Sequence, residues 1–271
     1  MRAFCRDLPR GYTARSNSWN GLDARAFADL VIVTGDNPVC LALHARCGSM
    51  QNRCRVVART DRVRGARPRQ IVFIPAMRTP LLRVLPRTFY RRDPRQVAPE
   101  LLNKILLGAD GRSARIVETE AYCGPIDEAA HSFRGKTARN ATMFGPPGHL
   151  YVYFTYGMHW CANAVCGEED DGVGVLLRAA QPLTGLDCMR ALRGLARSDR
   201  ELCSGPARLC QAFGITRADD GCDLVSGRYR IASDGTPPPT TPVVGPRVGV
   251  SRASALPWRW YVPDNRHVSR R

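Results

Sequence analysis

Apolar and polar positions alternate through RIVETEAY, Arg115 to Tyr122, closely enough to predict a β-strand. Side chains two apart on a strand share a face, so Glu118, Glu120 and Tyr122 are expected to point the same way. A second strand opens LYVYFTYGMHWCAN, Leu150 to Asn163, where Tyr151, Tyr153 and Tyr156 fall within six residues. Gly157 after Tyr156 predicts a reversal of the chain that projects the Tyr156 phenol from a hairpin tip.

Upstream, Asp93 followed by Pro94 reads as a helix cap with proline at the first helical position. Val97, Leu101, Leu102, Ile105 and Leu106 keep an apolar face until Gly108 stops the predicted helix. Pro99 is costly in a helix interior, so a start at Pro99 is the alternative. Residues 109–112 turn into the first strand, and the long connection from Cys123 to His149, with its polar run at Arg134 to Asn140, predicts a functional loop. Val173 to Pro182 reads as a buried strand interrupted by Arg178. Two helices are expected near Leu186 to Leu195 and Pro206 to Phe213. Strands are expected around Tyr229 to Ala232, Arg247 to Val250 and Trp258 to Val262, and the prolines at 237 to 239 mark a surface loop. This mixture predicts an α+β domain.

Residues 1–85 break the pattern. Their short apolar runs, Phe27 to Val33 and Ile71 to Ile74, have no sustained period, and the stretch holds 15 Arg and 5 Asp but neither Lys nor Glu. It therefore carries +10 of the net charge of +16, while the remaining 25 basic and 19 acidic residues give +6. A basic DNA-binding arm, a disordered tail and a start assigned too far upstream all fit. The last two together are the preferred expectation, with Met77 near the true start. The domain is then expected at 86–264, followed by a basic tail at 265–271. Because only Lys104 and Lys136 among the 40 basic residues are lysine, a genome-wide bias toward Arg competes with a phosphate-binding face as the source of the charge.

With 271 residues, 44% hydrophobic and 24% charged, the composition is that of a globular protein. No apolar run approaches the roughly 18 residues that span a bilayer, and no apolar segment follows the first arginines as in a secretory signal. A cytoplasmic protein without a membrane partner is expected. The eleven cysteines include no CxxC pair and read as reduced thiols. The five histidines lack HxH and HExxH spacing, and GxGxxG, P-loop and GxSxG motifs are missing, so neither a metal nor a cofactor is expected.

Two carboxylates beside an aromatic ring are costly on a buried face unless they are paired or serve as acid and base. A solvated strand face is the alternative. The tyrosines suit a surface that stacks flat rings, or an aromatic core strand. Arg178, amid Leu176, Leu177, Ala179 and Ala180, needs a carboxylate, phosphate or water, and a structural ion pair would satisfy it.

RIVETEAYCGPIDEAAHS, TARNATMFGPPGHLYVYFTYGMHWCAN, GVLLRAAQP, RELCSGPARLCQAFGI and PRVGVSRASALPWRWYV, in that order across residues 86 to 262, closely resemble the alkyladenine DNA glycosylase family. The resemblance implies a bacterial 3-methyladenine DNA glycosylase, a monomer acting on double-stranded DNA that contains alkylated or deaminated purines. It implies a single α+β domain with a curved, mostly antiparallel sheet, a protruding β-hairpin and packed helices. It makes Glu120 the general base for a water that Arg178 also holds, with Arg178 biasing Glu120 toward its ionised form. It places Tyr122, His131, Tyr153 and Asn163 around an extruded base, Tyr156 as the wedge that fills the duplex, and Thr137, Arg139 and Asn140 on backbone phosphate. Ser132 to Lys136 depart from the mammalian pattern. The lesion range among 3-methyladenine, 7-methylguanine, hypoxanthine and ethenoadenine stays open, as do two rival functions: a damage-binding module without hydrolysis, and a sugar hydrolase pairing Glu118 with Glu120.

Overall fold

The computed structural model describes residues 82–269 and, before them, the backbone of two strands, Phe27–Leu30 (β1) and Leu43–Arg46 (β2). These pair antiparallel within a unit spanning Met1–Thr79. The other expectations for residues 1–81, including a start near Met77, lie outside the described residues, whereas Leu85, expected with the extension, is buried in the core.

The second unit, Pro80–Arg271, contains β3 (Arg83–Val84), α1 (Arg87–Tyr90), α2 (Pro94–Leu101), β4 (Ile105–Gly108), β5 (Ser113–Tyr122), β6 (Leu150–Thr155), β7 (His159–Cys166), β8 (Val173–Thr184), α3 (Leu186–Leu192), α4 (Pro206–Phe213), β9 (Tyr229–Ser233), β10 (Val243–Gly245) and β11 (Arg259–Tyr261). An antiparallel sheet of order β3-β9-β4-β5-β8-β7-β6 curls into half a barrel, with β11 pairing both β5 and β10. The class is α+β, as the mixture of periods predicts. α2 packs on β5, and α4 packs on β7 and β8. Leu209 and Phe213 of α4 are fully buried, each contributing about 1.5–3 kcal/mol, before Gly214 ends the helix with a left-handed cap.

β5 lies at the centre of the sheet, and two bulges set which way its side chains face. Val117 has no partner on β8, since Ile116 sits opposite Ala180 and Glu118 opposite Ala179. One step further Arg178 is the extra residue, because Thr119 pairs with Leu177. Each bulge puts two successive residues on one face. Ala114 and Ile116 join the main core, and after the bulge it is Ala121 that joins it, while the Thr119 hydroxyl donates to the Ala98 carbonyl of α2. Glu118, Glu120 and Tyr122 are thereby turned to the opposite side.

The helix expected to reach Gly108 stops at Leu101. Asn103 takes a positive φ and donates its N–H to the Ile116 carbonyl, and Ile105 and Leu106 enter β4 between β5 and β9. A short apolar run satisfies either period, and pairing with two strands decides it. Arg247 to Val250, expected as a strand, is a loop; the strand there is β10. Residues 265–269, expected to start a basic tail, are packed: Val268 is 4% exposed and sits against Val117 and Ala179. No helix among the described residues is long and apolar enough to cross a membrane.

Candidate functional site

β6 and β7 form a hairpin whose turn centres on Tyr156 and Gly157, both at positive φ. A left-handed conformation is ordinary for Gly157 and strained for Tyr156, which is 77% exposed. Such an exposed aromatic at a strained tip is suited to contact something outside the fold. Beside the hairpin lies a cavity of about 490 Å³, within the range that holds a small planar ligand. Tyr122, His131, Tyr151, Tyr153, Tyr156, Asn163 and Arg178 line it, together with the Val248 to Arg252 loop. Tyr151 and Tyr153 stack at 5.5 Å between centroids, and the His131 ring meets Tyr153 edge-on at 4.4 Å. His131 lies within 3.3 Å of the Tyr151 hydroxyl. Burial, then the nearby Arg139 charge, lowers its pKa, which favours a neutral imidazole.

Glu120 is 0% exposed. Its Oε1 accepts the Val248 N–H at 2.7 Å and its Oε2 the Tyr122 hydroxyl at 3.0 Å, while Arg178 Nη1 lies 3.3 Å from Oε1. Arg178 biases Glu120 toward its ionised form, as expected, but it does not decide the balance. Burial instead outweighs the Arg178 charge and the two hydrogen bonds, and the Glu120 pKa is raised. A carboxylate of raised basicity at the edge of an aromatic cavity can take a proton from a water molecule.

Glu118, equally buried, lies in different surroundings. Arg178 Nε donates to its Oε1 at 2.9 Å and Arg259 Nε to the same oxygen at 2.7 Å. Ser269 adds its N–H to Oε2 at 2.7 Å and its hydroxyl to Oε1 at 2.9 Å. Burial pushes the Glu118 pKa up, but Arg178, Ser269 and Arg259 outweigh it and the pKa is lowered. Two carboxylates on one strand face are thus driven apart in acidity by their neighbours.

Arg247, whose side chain is buried, packs its guanidinium 4.7 Å from the Tyr122 ring centroid and 5.2 Å from that of Trp258. It pairs with buried Asp127 at 2.6 Å and donates to the Ala121 carbonyl at 2.9 Å. The pair fixes the back of Tyr122 and the start of the loop that presents Val248.

Thr137 and Arg139 are exposed, and Arg139 Nη2 donates to the Phe154 carbonyl of β6 at 3.1 Å. The Asn140 side chain turns inward: Oδ1 accepts from the Thr137 N–H and hydroxyl, and Nδ2 donates to the carbonyls of His131 and Gly135. Asn140 therefore organises the loop that carries Thr137. Of the residues marked by the sequence, the cavity gathers Tyr122, His131, Tyr153, Tyr156, Asn163 and Arg178, with Glu120 just behind its wall. Val248 and Ser269 went unmarked, Val248 because it acts through a backbone N–H. For Ser269 the one available signal was Val268, a single apolar residue in a polar stretch.

The sequence profile of the family described as methylpurine-DNA glycosylase matches residues 88–266. Among relatives bearing the name "Putative 3-methyladenine DNA glycosylase", that of Burkholderia lata is 61% identical over 188 residues, covering 69% of this chain and 91% of its own length. That of Burkholderia cenocepacia is 60% identical with the same coverage. That of Rhodopseudomonas palustris is 47% identical over 187 residues, covering 69% of this chain and 88% of its own.

Proposed function

The chain belongs to the methylpurine-DNA glycosylase family, and from that premise we propose that it turns a methylated purine out of duplex DNA into the aromatic cavity and hydrolyses the N-glycosidic bond with a water activated by Glu120. The observation that carries the reading is Glu120: a buried carboxylate of raised pKa, held at the cavity by Tyr122 and Val248 and within 3.3 Å of a guanidinium.

The base leaves the stack and enters between Tyr122, His131 and Tyr153. A purine methylated on the ring is electron-poor or cationic, so aromatic faces attract it more than an undamaged base. Tyr156 fills the gap left in the duplex, and Asn163 crowds the exocyclic amino group of guanine. Glu120 takes a proton as the water oxygen bonds to the sugar carbon. The electron pair of the breaking C–N bond goes to the departing base, which a positive charge on the ring makes a better leaving group. Arg178 holds the attacking water. Exposed Thr137 and Arg139 meet backbone phosphate, with Asn140 shaping their loop. Deaminated purines such as hypoxanthine fit the same cavity.

The alternative of a sugar hydrolase needs a second free carboxylate. Glu118 speaks against it, since both of its oxygens accept hydrogen bonds from Ser269 and one is shared with two arginines. Incubation with duplexes containing 3-methyladenine or hypoxanthine tests the proposal: free base should be released. Binding without release would leave a damage sensor, and neither would remove DNA from the account.

A further inference from the structure

We propose that Ser269 is a positioning residue for this reaction, holding Glu118 and Arg178 in one rigid unit so that the guanidinium stays at Glu120. The inference rests on the role of Glu120 given above. The Ser269 hydroxyl makes two contacts of opposite sense, donating to Glu118 Oε1 at 2.9 Å and accepting from Arg178 Nη2 at 3.1 Å. A hydroxyl can do both at once, whereas a methyl group can do neither. The backbone N–H of the same residue fixes the other Glu118 oxygen at 2.7 Å.

The two bulges explain why a residue after β11 is placed to do this. Val117 and Glu118 share a face of β5, and Arg178 and Ala179 share a face of β8. Val268 covers the apolar member of each pair, Val117 and Ala179. Ser269 then meets the charged member of each, Glu118 and Arg178. Each guanidinium nitrogen is thereby assigned: Nε to Glu118, Nη1 to Glu120 and Nη2 to Ser269. Without the hydroxyl, Nη2 loses this partner and the guanidinium can turn away from Glu120. Arg259 remains on Glu118 and keeps that carboxylate ionised, so the expected damage is to orientation rather than to charge.

Ser269→Ala tests this with single-turnover excision at saturating enzyme. The excision rate constant should fall about tenfold or more while affinity for lesion-containing duplex is kept, because a small displacement of a working group costs rate rather than binding. The acid limb of the rate should also move to higher pH. The groups facing Glu120 are Arg178 on β8, Arg247 before the Val248 loop, Cys161 on β7, and Glu118 and Tyr122 on its own strand; of these Arg178 and Glu118 touch Ser269, and Glu118 keeps Arg259 and the Ser269 N–H when the hydroxyl is removed. Ser269→Thr keeps the hydroxyl and should restore both rate and limb. An alanine variant that unfolds at lower temperature but keeps the parental rate constant and acid limb would overturn the proposal. Excision retained by Glu120→Gln would overturn the reading beneath it, and the positioning role with it.

Discussion

The Tyr122 hydroxyl donates to Glu120 Oε2 at 3.0 Å, so the ring that walls the cavity is tied to the carboxylate assigned to activate water. A hydrogen bond to the charged form favours that form, and this bond lowers a pKa that burial raises. Tyr122→Phe keeps the stacking face and removes the bond. Its excision should need higher pH than the parent's, with the acid limb moved upward and affinity for lesion DNA nearly unchanged, as a pH series of rate constants would reveal. An unmoved limb would mean that Glu120 does not set it.

Glu120→Gln should abolish excision and leave binding of damaged duplex intact, since the amide fills the same space without accepting a proton. Turnover within about tenfold of the parent, a barrier change of only about 1.4 kcal/mol, would assign the water to another group.

The two buried glutamates should affect stability in opposite directions. Glu118 has a lowered pKa in the fold, so the stability it contributes is present above the ordinary carboxylate range and lost as pH falls through the folded value. Glu118→Gln leaves Arg178 and Arg259 without their shared carboxylate and should cost about 3–5 kcal/mol at neutral pH, less in acid. Glu120 has a raised pKa, so its contribution is present below the unfolded value and lost as pH rises through the folded one. Glu120→Gln should therefore be at least as stable as the parent at neutral pH, with the difference fading in acid. Urea unfolding at neutral and acidic pH checks both signs.

Tyr156→Ala should weaken base extrusion by roughly 1–3 kcal/mol, the scale of one stacked ring. A mispaired target is already easier to flip, so the loss should shrink there. Equal losses on paired and mispaired duplexes would exclude the wedge.

Borohydride should trap no covalent adduct on lesion DNA, and an intact abasic site should remain. A Schiff base needs an unprotonated amine at the sugar. Lys104 and Lys136 are the only lysines, and neither lines the cavity. Lys104 Nζ faces the Thr236 carbonyl at 3.4 Å, and Lys136 pairs with Asp170 at 3.0 Å. An adduct that disappears in Lys136→Ala would replace the hydrolytic mechanism.

The sequence alone carried the strand RIVETEAY, the hairpin with Tyr156 at its tip and the helix Pro206–Phe213, because alternation, a glycine at a turn and a proline at a helix start are local signals. It also carried the family, through several long motifs in order. Tertiary structure decided what locality cannot encode. Ile105 and Leu106 fit a helix face as well as a strand, and pairing with β5 and β9 made them strand. Glu118 and Glu120 look alike in sequence. One lies in a network of two arginines and a serine, the other behind an aromatic wall with the Arg178 guanidinium at 3.3 Å. Which carboxylate is held ionised and which is left basic depends on contacts from residues 58 to 151 positions away, and on two bulges that no side-chain pattern announces.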